Sequence, residues 1–65
     1  MQKKETAFRR RRKAAGDTLR KLALLCDVTE RTIWRWEHAE GLPDAKSLML
    51  LAERWGCDPR ELVAR

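Results

Sequence analysis

Four side chains within a short stretch carry the densest chemistry in the chain: Glu30, Arg31, Trp34 and Arg35. On a helix these positions span an arc of about 140°, at about 100° per residue. A guanidinium such as that of Arg31 can pair bidentately with guanine O6 and N7. Arg35, one turn further on, can read a base or grip a phosphate. Glu30 has two readings: it can accept from cytosine N4, or it can favour the positive end of its helix and orient Arg31. Trp34 also has two. Its indole can meet a thymine methyl or a sugar edge, or it can pack over the end of the first helix or a neighbouring subunit.

Positioning these groups falls to the run Thr18–Glu37, which reads as two short helices joined by a tight turn. Leu19, Leu22, Ala23 and Cys26 fall at i, i+3, i+4 and i+7, a single apolar stripe. Thr18 precedes it as an N-cap, and Asp27 ends it as a residue that tolerates a left-handed backbone. Val28 tucks into the corner and Thr29 caps the next helix, whose Ile33 and Trp36 face inward.

The other elements are helical too. The first helix is expected over about Glu5–Ala15, ended by Gly16, with a thin apolar face of Ala7, Phe8, Ala14 and Ala15 anchored by Phe8. The third is expected from about Glu30 to His38 or Ala39. The fourth begins after the Asp44 cap and ends at Gly56, with Ala45, Leu48, Ala52 and Trp55 inward and Met49 and Leu51 widening the stripe. Asp58-Pro59-Arg60-Glu61 opens a last short helix, with Pro at N1 and Glu at N3 as in a capping box. Trp36 and Trp55 both belong to the core.

The spacing and order of these motifs resemble the lambda-repressor-like (Cro/repressor type, Xre) helix-turn-helix family. The likeness rests on Ala23 at the helix crossing, the Val28-Thr29 turn and the T-I-x-R-W-E run from Thr32 to Glu37. It extends to Gly41-Leu42-Pro43-Asp44 and to the segment from Ser47 to Val63, and so covers roughly Glu5 to Val63. It implies an all-α fold: a compact five-helix domain with a central helix-turn-helix made by the second and third helices. One domain over residues 1–65 is expected, with the basic residues 1–4 disordered.

The resemblance also implies roles. The family's base-reading positions map onto Glu30, Arg31 and Arg35, with Thr32 and Trp34 flanking. Phosphate contacts map onto Thr18, Leu19 and Arg20 on one strand and Ala45 and Lys46 on the other, with Thr29 and Thr32 beside them; Arg9, Arg10 and Lys13 add a diffuse field. Arg12 and Glu37 are expected to form a bridge that fixes the third helix; the alternative is two solvated charges. Two positions depart from the family's pattern: Leu19, where Gln is frequent, removes a side-chain contact, and Arg11 replaces an aliphatic residue.

Charge fits a polyanionic partner. Residues 1–21 hold nine basic and two acidic side chains, while residues 22–65 hold six basic and eight acidic. The alternative is a solvated basic face. No apolar run approaches the ~18 residues of a membrane span, and the charged N-terminus lacks a signal-peptide core. Cys26 and Cys57 stand alone on helical positions, so buried free thiols in a reducing cytoplasm are expected. One His and two scattered Cys make no zinc site, and no cofactor or small-molecule ligand is expected. No nucleophile–base set or carboxylate dyad points to an enzyme. A membrane-active peptide would need a helix with a large apolar face, which the first helix lacks.

Leu24, Leu25 and Leu50 stand where related sequences carry polar groups. They suggest an interface, through which a homodimer would set two recognition helices about 34 Å apart on a pseudo-palindromic operator. The alternative is scattered surface leucine. His38 is expected to be a surface residue. The leading function is a sequence-specific DNA-binding transcriptional regulator, a small phage or bacterial repressor of Cro-like type. The alternative is a protein-interaction module, such as an antitoxin or transcription-machinery adaptor.

Overall fold

A computed structural model describes residues 5–63 of the chain, so the expectation for residues 1–4 lies outside the described residues. Five helices follow in order: α1 (Ala7–Ala15), α2 (Leu19–Cys26), α3 (Glu30–Glu37), α4 (Ala45–Trp55) and α5 (Pro59–Leu62). No strand occurs among the described residues.

Capping chemistry sets most of these boundaries. Thr18, Thr29 and Asp44 each adopt an extended backbone, and their side-chain oxygens accept from the amides of Lys21, Thr32 and Ser47. Each bond satisfies one of the donors that a helix start leaves without an intrahelical partner. Asp27 ends α2 with φ 57°, the left-handed conformation expected of it. α1 starts later than the sequence suggests. Thr6 caps it by accepting from the Arg9 amide, and the Thr6 hydroxyl donates to the Glu37 carbonyl 2.6 Å away, so one side chain ties the start of α1 to the end of α3. α3 closes at Glu37 with His38 as its C-cap.

Ala39 also sits at φ 57°, where an L side chain costs about 1–2 kcal/mol and glycine costs almost nothing. Ala39→Gly is therefore expected to stabilise the domain by about 0.5–1 kcal/mol, once the extra freedom of glycine in the unfolded chain is subtracted. A urea titration would show it; a lower midpoint would mean that the Ala39 methyl contributes more through packing than its backbone costs.

The core joins all five helices: Phe8, Leu22, Ala23, Cys26, Ile33, Trp36, Leu51, Ala52 and Leu62. Phe8 anchors α1 and meets Trp55 edge-on, with ring centroids 5.2 Å apart. Ala23 is buried where α2 packs on α3. The inward stripe of α4 is rotated from the expected one. Leu51 is its centre, Ser47 and Ala52 are buried and Leu48 and Trp55 half-buried, while Ala45 and Met49 are exposed. The buried face is the one whose Leu51 and Ala52 join the common core, with Leu48 and Trp55 packed against it.

The capping box at α5 does not form. Asp58 accepts from the Arg60 amide, and the Glu61 carboxylate turns away to take a forked bond from Arg11, at 3.0 and 3.2 Å. That pairing accounts for a charged residue at position 11, because the guanidinium lies over α5 rather than in the core.

Asp17, to which the sequence reading gave no role, is the centre of a buried polar cluster. Its carboxylate takes two bonds from Arg54, at 2.7 and 2.9 Å, and one from the Trp55 indole at 2.7 Å. It thereby fastens the α1–α2 corner to the end of α4. The Arg54 hydrogen bonds, followed by that of Trp55, lower its carboxyl to about 2 from 3.8. A lowered carboxyl stabilises the fold above the unfolded value and loses that contribution as pH falls toward the folded one. The fold should accordingly lose about 2 kcal/mol between roughly pH 5 and pH 2 through this group. Asp17→Asn should lower stability at pH 6 and flatten the acid limb; an unchanged acid limb would assign the loss to other carboxylates.

Candidate nucleic-acid interface

α3 has two chemically different faces. Ile33, Trp36 and Glu37 are buried, while Glu30, Arg31, Trp34 and Arg35 are exposed. The helix is short and its N-terminal turn stands at the surface, which suits insertion of that end into a groove.

Beneath it, Glu37 carries the bridge. Arg12 Nε and Nη2 reach its two carboxylate oxygens, at 2.5 and 3.4 Å, and Arg12 Nη1 donates to the Asp17 carbonyl at 3.0 Å. The Glu37 side chain is only 4% exposed and that of Arg12 18%, so a buried carboxylate and a half-buried guanidinium join α1, the α1–α2 corner and the end of α3. The solvated alternative does not describe this pair.

The outward groups differ in freedom. Arg31 makes no hydrogen bond or ion pair with the described residues. Arg35 approaches the Glu40 carbonyl at 3.5 Å, a marginal contact that leaves most of its donors open. Trp34 is 39% exposed. It is stacked on His38, with centroids 4.0 Å apart and planes 25° from parallel, and His38 Nδ1 lies 2.7 Å from the Trp34 carbonyl oxygen. His38 is thus a surface residue, and its ring lies against the indole. An aromatic and a His spaced i, i+4 near a helix end carry that signal in sequence.

The candidate phosphate-facing groups flank this helix unevenly. Leu19 is half-buried, while Arg20, Ala45 and Lys46 are exposed at the first turns of α2 and α4. Amides at such positions point outward without intrahelical partners. The Thr18 hydroxyl accepts from the Lys21 amide and keeps its own proton to donate. Thr29 and Thr32 are less free, since their hydroxyls bond each other at 3.0 Å and Thr29 also caps α3. The basic field of α1 is partly neutralised at the surface by Glu5. Lys13 and Arg9 lie 3.1 and 3.6 Å from the Glu5 carboxylate, and Arg10 donates to the Glu5 carbonyl. The Lys13 hydrogen bond holds the Glu5 carboxyl below its ordinary value. Arg10 and Lys13 are therefore hydrogen-bonded and Arg9 is ion-paired, its Nε without a hydrogen-bond partner, while Arg20 and Lys46 are freer cations.

With this geometry in view, the helix-turn-helix family model matches residues 8–62. That span is most of the chain. The chain belongs to the helix-turn-helix family, in its Cro/C1-type, Xre-like branch. Compared with curated proteins and with solved structures, it has no significant match to either. The helix-turn-helix is α2, the Asp27–Thr29 corner and α3, and members of this family are DNA-binding transcription regulators. Among the described residues of this helix-turn-helix protein, no helix is long and apolar enough to cross a membrane.

Proposed function

We propose that this chain is a small repressor that reads an operator half-site in the major groove with α3. The observation that carries the reading is the outward face of α3, where Glu30, Arg31, Trp34 and Arg35 are exposed on a helix whose opposite face is locked by Ile33, Trp36 and the Arg12–Glu37 pair. Arg31 and Arg35 read base edges, with Glu30 and Trp34 beside them. The starts of α2 and α4 grip phosphates on the two strands through Thr18, Leu19, Arg20, Ala45 and Lys46, and Thr29, Thr32, Arg9 and Arg10 contribute around them. Two copies bind a pseudo-palindrome, in the cytoplasm and at the nucleoid. The whole chain is one such domain.

Selection of sites from a random duplex pool at near-physiological salt tests this reading. An enriched inverted repeat supports the dimeric operator reading; an asymmetric site removes the dimer, and no enrichment removes sequence reading. Lys46→Ala should weaken binding to every duplex and lower the slope of log K against log salt by about 0.9, the loss of one phosphate contact. An unchanged slope would take Lys46 out of the footprint.

A second reading, a protein-interaction module, is favoured by exposed apolar surface. Leu24 is 75% exposed and Leu25, Leu42 and Met49 are exposed with it, whereas Leu50 is half-buried and drops out of the set first expected. A stable stoichiometric complex with a partner protein, together with no site enrichment, would favour this reading.

A further inference from the structure

Between the last turns of α1 and α4 lies an open cleft of about 240 Å³, walled by Arg11, Ala14, Ala15, Arg54 and Trp55. The proposed DNA reading uses none of these residues. Two guanidiniums line the cleft and no carboxylate does, since their partners Glu61 and Asp17 are not among its walls. Those partners fix the guanidiniums without saturating them. Arg11 uses Nη2 on Glu61, and Arg54 uses Nε and Nη2 on Asp17, so Nη1 of each makes no hydrogen bond among the described residues. A guanidinium held by one carboxylate still offers donors in a fixed plane to a second anion. Trp55 is fixed as well, its indole N–H bonded to Asp17 and its ring edge-on to Phe8. The exposed Ala14 and Ala15 complete the wall with methyl groups. An inorganic anion would leave the indole and the methyls facing nothing apolar, so the walls match a planar apolar body joined to an anionic head. At about 240 Å³ the cleft is smaller than the roughly 300–1,000 Å³ of drug-sized sites, which limits that body to about one ring.

We infer that this cleft binds a small aromatic acid, one ring carrying a carboxylate or phosphate head. The head takes the open donors of Arg11 and Arg54, and the ring lies along Trp55 beside Ala14 and Ala15. The sequence gives no sign of such a ligand, since Arg11 and Arg54 are far apart in the chain and line one cleft only because α1 packs on α4. The inference is independent of the DNA reading.

The test titrates benzoate, phenyl phosphate, benzamide and inorganic phosphate into the intact chain and follows its amide and indole N–H resonances. Benzoate or phenyl phosphate should move the Trp55 indole N–H and the Ala14 and Ala15 amides to saturation, with a Kd of about 0.1–10 mM for a ligand of this size. The tighter of the two names the head. Benzamide lacks the charge and inorganic phosphate lacks the ring, so each should bind at least about tenfold more weakly. Arg11→Gln should weaken binding about three- to tenfold, a modest loss because its side chain is 41% exposed and screened by water. Ala14→Leu should abolish binding by filling the cleft; the position is exposed and leucine is a good helix former, so the fold survives. Should Arg11→Gln unfold, Ala14→Leu carries the test alone. Equal binding of benzamide removes the anionic head and equal binding of inorganic phosphate removes the ring; either overturns the inference. A response confined to Trp34, which puts the ligand in the cleft between Leu19 and Trp34, overturns it too. So does binding unaltered by Ala14→Leu, or the lack of saturation by about 20 mM. None of these outcomes touches the DNA reading.

Discussion

Glu37→Ala is expected to cost about 3–5 kcal/mol, the range for removing one partner of a buried ion pair and leaving the other charge uncompensated. The Arg12 side chain, only 18% exposed, would lose both Glu37 oxygens and keep the Asp17 carbonyl alone as acceptor. For a chain this small, at the lower end of the ~5–15 kcal/mol typical of folded domains, such a loss brings it to the edge of unfolding. Urea unfolding followed by far-UV circular dichroism measures it directly. Replacing Arg12 and Glu37 together by Met should cost less than the two single substitutions added, because no buried charge is then left alone. A loss of about 1 kcal/mol or less for Glu37→Ala would mean that the pair behaves as a surface bridge. Binding would suffer even where folding survives, since the pair sets the end of α3 against α1.

Arg31→Ala should do the reverse, leaving stability unchanged and removing about 1–3 kcal/mol of specific binding. Arg31 is exposed and makes no hydrogen bond or ion pair with the described residues, so the fold has nothing to lose. On the selected operator the loss corresponds to roughly five- to 150-fold in Kd, and the preference at one base pair should relax. Competition between the selected duplex and variants at each base pair gives both numbers. An equal loss on every duplex would make Arg31 a phosphate contact. A drop in the unfolding midpoint would show that Arg31 supports the helix itself.

These two substitutions mark how far the sequence alone reaches. The limits of α2, the three caps at Thr18, Thr29 and Asp44, and the left-handed Asp27 are local matters, decided by side chains within a turn of the backbone they satisfy. The outward set Glu30, Arg31, Trp34 and Arg35 is equally local, because helical period fixes which residues share a face. The stripe of α4 was legible only in outline: its period was plain, but packing against the other helices decided its rotation.

Periodicity and capping act over a few residues, and they suffice for the order of five helices, the helix-turn-helix and the chemistry carried on α3. Apart from the Arg12–Glu37 bridge, which the family resemblance implied, the polar pairings emerged only in the folded chain. Asp17 with Arg54 and Trp55, Arg11 with Glu61 and Thr6 with the Glu37 carbonyl join positions 31 to 50 residues apart. The gathering of the α1 cations around Glu5 and the cleft between Leu19 and Trp34 likewise need helices set beside one another or side chains chosen among several rotamers. Charged side chains are long and can reach several partners, so only the assembled fold selects one.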